Sequence, residues 1–153
     1  IFGPEGAWRG GRDKAPAATS RKVAEAEDGG KIEIWGDGDQ TRSFLYIEEC
    51  LDGIFRLMDH PSFRGPVNIG SEEMVSINQL VDLVSDIAGK NLKKVHVEGP
   101  MGVRGRNSHN DLIKYHLNWA PSKSLRYGIE KTYAWIDEQV KKARAEEGDN
   151  YKS

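Results

Sequence analysis

Apolar residues recur along this chain with two periods, and the periods mark out its elements. Ala15–Ala26 predicts a helix with Pro16 tolerated in the first turn, ended at Asp28-Gly29-Gly30. Lys31–Trp35 alternates, with Ile32 and Ile34 on one face, and predicts a short strand. Gly36 to Asp39 reads as a turn and Thr41–Tyr46 as extended chain. Ile47–Met58 predicts a helix, because Ile47, Leu51, Ile54 and Met58 fall at helical spacing. Pro66–Ile69 is an apolar run ending at Gly70 and predicts a strand. The next helix has a marked start: Ser76 can cap the amide of Gln79 while Gln79 reaches back. Ile77, Leu80, Val81, Val84, Ile87 and Ala88 then form one stripe, which Gly89 stops. Leu92–Glu98 alternates through Val95 and Val97 as a strand. Asn110–Leu117 and Ser124–Ala145 predict two closing helices, the second amphipathic through Leu125, Ile129, Tyr133, Ile136 and Val140.

Strands alternating with helices define an α/β fold. Three or four short strands with four or five helices make an odd domain alone and good sense as the smaller lobe of a larger enzyme. The sequence opens on Ile1, on what reads as the end of a strand, and is expected to be part of a longer polypeptide. Residues 1–145 are expected to form one unit and 146–153 a loose polar tail.

Composition narrows the picture. The 153 residues, 37% hydrophobic and 30% charged, suit one globular unit with a modest core. Twenty-two basic residues against 24 acidic ones, a net charge of -2, argue against a nucleic-acid partner. No apolar run approaches the roughly 18 residues that a membrane span needs. A single cysteine, Cys50, permits no internal disulfide and makes a reducing, cytoplasmic compartment the simplest reading. Cys50 itself reads as a buried small hydrophobe. His60, His96, His109 and His116 show no ligand spacing with Cys or carboxylates, so no metal site is expected. Trp35, Trp119 and Trp135 read as core, and Glu48-Glu49 as solvated helix charge.

Two loops concentrate glycine and positive charge: residues 1–14, with Arg9, Arg12 and Lys14, and residues 99–107, with Arg104 and Arg106. Glycines at this density let backbone approach a ligand closely, or simply make turns.

Three stretches carry a family resemblance. Gly36-Asp37-Gly38-Asp39-Gln40-Thr41-Arg42-Ser43-Phe44 with Tyr46-Ile47-Glu48-Glu49 resembles the Gly-x-Gly-x-x-x-Arg-x-Phe segment of extended short-chain dehydrogenases that bind sugar nucleotides. Pro66-Val67-Asn68-Ile69-Gly70 and the capped helix after it resemble that family's next block. Leu117-Asn118-Trp119-Ala120-Pro121, then Leu125, Gly128 and Trp135, is similar to its closing signature. A fourth stretch, Gly10 to Ala18 together with Gly99 to Ser108, is similar to the GDP-mannose 3,5-epimerase branch. His109 departs from that branch, where an Asp is expected. The resemblance covers nearly the whole chain up to about Lys142.

The resemblance implies a Rossmann-type enzyme whose nucleotide-binding half, with its glycine-rich loop and Tyr-x-x-x-Lys pair, is absent from these residues. It implies NAD as the cofactor, bound by that other half, and GDP-mannose or a related GDP-sugar as substrate. The reaction it implies is redox-neutral: hydride leaves C4, an acid/base pair exchanges protons at C3 and C5, and hydride returns. A cysteine and a lysine form the pair; the lysine maps onto Lys14. Substrate contacts map onto Asp13, Ala15, Lys22, Gln40, Thr41, Arg42 and Arg106. Arginine suits a diphosphate because its guanidinium makes two parallel hydrogen bonds. A base needs a neutral amine, which the neighbouring cations Arg9, Arg12, Arg21 and Lys22 favour and a pairing with Asp13 would oppose. Lys22, eight residues beyond Lys14, can share its helical face. The resemblance implies a homodimer for the complete protein. These 153 residues alone are expected to be inactive. Two alternatives stay open: part of an NDP-sugar 4-epimerase or 4,6-dehydratase, which would not need the Gly10–Ala18 block, or a non-catalytic GDP-sugar-binding remnant.

Overall fold

The computed structural model describes residues 1–100 and 102–151; Met101, Lys152 and Ser153, including the end of the expected tail, lie outside them. Helix α1 runs over Ala15–Glu25, strand β1 over Lys31–Trp35 and β2 over Thr41–Ser43. They are followed by α2 (Ile47–Asp59), β3 (Met74–Ser76), α3 (Ile77–Ala88), β4 (Lys93–Val97) and β5 (Gly105–Arg106). Two helices, α4 (Asp111–Leu117) and α5 (Leu125–Glu147), lead to a 3-10 turn at Gly148–Asn150.

The strands form two small sheets. β1 pairs parallel with β4, from Lys31 opposite Lys93 to Trp35 opposite Val97. In the other sheet β2 is central, antiparallel to β3 and parallel to β5. The start of the chain lies beside the end of this region. Phe2 donates its amide to the Leu45 carbonyl (3.0 Å) and accepts from the Ile47 amide (2.9 Å).

Helices α1, α3 and α5 cover the first sheet, and the core lies between them. Ile32 and Ile34 turn inward from β1 and meet Val23, Leu80, Val84 and Ile129, together with Phe2 and Tyr46. Gly128 permits a close approach: a Cβ there would stand 2.7 Å from the Phe2 ring and 2.9 Å from Tyr46. A second cluster, Leu45, Cys50, Ile113 and Trp119, fixes α2 and α4.

Polar groups secure the joints. The capping box of α3 has both bonds, Gln79 amide to Ser76 Oγ (3.1 Å) and Ser76 amide to Gln79 Oε1 (2.8 Å). Lys90 Nζ donates to the carbonyls of Val23, Ala24 and Ala26, groups that the end of α1 leaves free. Burial pushes the Lys90 pKa down.

Three local expectations are corrected, and the orientation of α2, which periodicity leaves open, is settled by its burial. Pro66–Ile69 joins no ladder; it is irregular chain, and Val67 and Ile69 pack on the Trp119 cluster. Trp35 is 55% exposed, because it ends β1 on the side away from the helices; Trp119 is buried. Glu49 is buried, its carboxylate accepting from the Ser122 amide (2.6 Å) and hydroxyl (2.9 Å). The apolar stripe of α2 faces outward: Leu51, Ile54, Phe55 and Met58 are exposed, while Cys50 and Gly53 turn inward.

Candidate functional site

The pairing of β2 with β5 sets Arg42 directly opposite Arg106. Both line a cavity of about 380 Å³ with Ser43, Asn68, Gly70, Asn107 and Ser108. The Arg42 guanidinium is clamped to backbone, donating to the carbonyls of Thr41 (2.7 Å) and Val103. Arg106 is exposed at the rim. The opposite wall is braced as well. Asn68 donates its amide to the His109 carbonyl (3.0 Å), and the Ser108 hydroxyl donates to Asn110 Oδ1 (2.6 Å). Buried Asn110 in turn donates to the Gly70 carbonyl (2.8 Å). The cavity is therefore lined by two guanidinium groups and the Asn68 amide, which keep further N–H donors, whereas the Ser108 hydroxyl proton is committed to Asn110. That set suits a ligand with several closely spaced anionic oxygens.

Arg104 is separated from this cavity. It pairs with Asp37 on the turn after β1 (2.6 Å), at the surface. The Arg104 hydrogen bond holds the Asp37 carboxyl below the usual carboxylate range. Gln40 is buried beside the site. Its amide nitrogen donates to the Trp35 carbonyl (3.4 Å), and its buried Oε1 has no partner. Thr41, half-buried, stands opposite Gly105 in the same pairing.

The other sequence-derived residues lie elsewhere. Lys14 is the exposed N-cap residue of α1 and lines none of the described cavities. Asp13 is turned away from it and pairs with Arg21 (3.3 Å), with a side chain 6% exposed. Ala15 packs against the core. Lys22 is not brought to the arginines: it donates to the Glu33 carbonyl (3.1 Å) beside a separate cavity of about 250 Å³.

Asn68, Ser43 and Ser108 line the arginine cavity and were not among the residues singled out from sequence. The available signal was Asn68, a polar residue inside the apolar run Pro66–Ile69.

Among the described residues no helix is long and apolar enough to cross a membrane, and no group of three or more His, Cys, Asp or Glu is placed to hold a metal ion. The residues do not fit a dinucleotide. β1 leads through a turn into β2, β4 leads into loop, and β2 and β5 reach α2 and α4 through segments without glycine, so among the described residues no parallel strand runs through a glycine-rich turn into a helix N-terminus.

This is the α/β architecture of nucleotide-sugar enzymes of the extended short-chain dehydrogenase type. Residues 1–70 match the NAD dependent epimerase/dehydratase family. The chain is 52% identical over 149 residues to GDP-mannose 3,5-epimerase of Arabidopsis thaliana, which covers 97% of this chain and 39% of that protein. It is 50% identical to GDP-mannose 3,5-epimerase 1 of Oryza sativa subsp. indica, covering 95% of this chain and 38% of that protein. Among solved structures it resembles UDP-glucuronic acid 4-epimerase of Bacillus cereus, with a TM-score of 0.78 and 26% identity over 90% of this chain and 43% of that one. The chain is similar to members of the NAD dependent epimerase/dehydratase family and spans about two fifths of the length of the curated relatives it matches.

Proposed function

We propose that this chain is the sugar-nucleotide-binding portion of a GDP-mannose 3,5-epimerase. In this reading it holds the diphosphate of GDP-mannose and presents Lys14 to the sugar. The observation that carries the reading is the register pairing of Arg42 with Arg106 on one cavity. Two guanidinium groups on neighbouring strands neutralise a diphosphate, and Arg42, already clamped to two carbonyls, needs little further side-chain ordering. The similarity to two plant GDP-mannose 3,5-epimerases at about half identity supports the choice of nucleotide and sugar.

Lys14 serves as one member of the acid/base pair and transfers a proton at a ring carbon next to a transient ketone. Asp13 is engaged by Arg21, so the carboxylate next to Lys14 in sequence is not its ion-pair partner. The cofactor and the partner acid/base lie outside these residues, so the chain alone is expected to turn over no GDP-mannose. A homodimer and a cytoplasmic location for the complete enzyme belong to the same reading.

Binding is the direct check. GDP titrated into isotopically labelled chain should shift the side-chain resonances of Arg42 and Arg106 and the Asn68 amide. Shifts confined to the Lys22–Glu33 region would overturn the assignment of the site.

A further inference from the structure

The end of the chain is fastened to the loop that carries Lys14. α5 runs on to Glu147, whose carboxylate pairs with Arg9 (2.7 Å). Tyr151 folds back onto α1, and its hydroxyl donates to Glu25 Oε1 (2.5 Å). The Arg144 guanidinium lies 5.6 Å from the Tyr151 ring and donates to the Glu25 carbonyl (2.9 Å). Beneath these bonds Tyr151 and Trp8 pack on Ala24, Ile136 and Val140. The expected loose tail is therefore tied down as far as Tyr151.

Glu25 passes this attachment to the loop through Arg21. One guanidinium makes three kinds of contact: Nη1 to Glu25 Oε2 (3.1 Å), Nη2 to Asp13 Oδ2 (3.3 Å) and Nε to the Trp8 carbonyl (3.1 Å). The Arg21 and Glu25 side chains are each 13% exposed, so solvent competes weakly for these bonds. Trp8 and Asp13 are the two ends of a short stretch whose middle, Gly10 and Gly11, has φ of +82° and +78°. Glycines in that region have the widest choice of backbone conformers, so the loop is held by its ends and not by its own stiffness. Lys14 follows Asp13 directly.

We propose that Arg21 and Tyr151 are positioning residues for Lys14: the chain Tyr151–Glu25–Arg21–Asp13 fixes the loop from which the lysine reaches substrate. The proposal rests on the reading of Lys14 as a proton-transferring residue. Arg21→Lys keeps the charge but cannot span Trp8, Asp13 and Glu25 together. Tyr151→Phe keeps the ring packing and deletes only the bond to Glu25.

The test uses a polypeptide of family length carrying these residues, with GDP-mannose as the probe. Backbone amide exchange over residues 9–14 reports the loop, and solvent deuterium uptake into the sugar reports Lys14. Arg21→Lys and Tyr151→Phe should speed amide exchange over 9–14 and lower deuterium uptake roughly ten-fold with KM nearly unchanged, since misplacement by about 1 Å is costly in rate. Neither should slow uptake further in a Lys14→Arg background. Unchanged amide exchange over 9–14 overturns the proposal. So does faster amide exchange with undiminished uptake, which leaves the role of Lys14 standing. Normal uptake in Lys14→Arg alone overturns the underlying reading, and the proposal with it.

Discussion

Arg42 on β2 and Arg106 on β5 are register partners in a parallel pairing, and they differ in what holds them. Arg42 is tied to the carbonyls of Thr41 and Val103; Arg106 stands exposed at the rim. Arg106→Ala should therefore act by loss of charge alone, weakening GDP binding by about 1.5–3 kcal/mol, or roughly ten- to a hundred-fold. Arg42→Ala should also release the 102–104 loop, so Arg42→Lys, which keeps charge but loses the clamp, is expected to recover only part of the affinity. Calorimetric titration with GDP at two salt concentrations checks both: the Arg106 effect should shrink more at high salt.

The face of α2 carrying Leu51, Ile54, Phe55 and Met58 is an apolar surface on a charged chain. Contiguous exposed apolar area of this kind binds hydrophobic dyes and drives association. The isolated chain should enhance the fluorescence of an anilinonaphthalene dye and associate with rising concentration. Phe55→Ser with Met58→Ser should reduce both. Unchanged dye binding in that variant would place the sticky surface elsewhere.

Much of the fold was legible locally. The Ser76–Gln79 box, the alternation of β1 and the α5 stripe are written in neighbouring residues, and local physics decides them. What failed depended on distant partners. Glu49 reads as solvated charge until Ser122 arrives to donate two hydrogen bonds to its carboxylate, and periodicity shows that α2 is amphipathic without saying what its apolar face meets. The candidate site divides the same way. Arg42 and Arg106 were readable as a motif, but their register comes from strands far apart in sequence. Lys22 shared a helical period with Lys14, yet the side chain turned to the Glu33 carbonyl.

The Glu49–Ser122 contact should be worth more than a surface bond. Glu49→Ala removes a buried carboxylate that accepts two charge-assisted hydrogen bonds, and is expected to cost about 1–3 kcal/mol in denaturant unfolding. Glu49→Gln, which keeps one acceptor, should cost less.

Alkaline pH should loosen the end of the chain. The Tyr151 hydroxyl is pushed up to about 12, first by burial and then by its bond to Glu25; Tyr133 is pushed up to about 12 by burial and by Asp137. A raised folded pKa means that their stabilising contribution is fully present below the ordinary tyrosine value of 10.0 and lost as pH rises through about 12. Stability measured across that window should fall, and Tyr151→Phe should make the fall shallower. An equally steep fall in the phenylalanine variant would remove Tyr151 from the effect.

The most direct measurement concerns Lys14, in a polypeptide of family length carrying these residues. Lys14→Arg keeps the positive charge but cannot release a proton at accessible pH. Deuterium incorporated from solvent into GDP-mannose would be followed by mass spectrometry at C3 and C5. The account expects GDP-mannose to stay bound while exchange at one of the two carbons falls by about a hundred- to ten-thousand-fold. Near-normal exchange at both carbons in Lys14→Arg would contradict it.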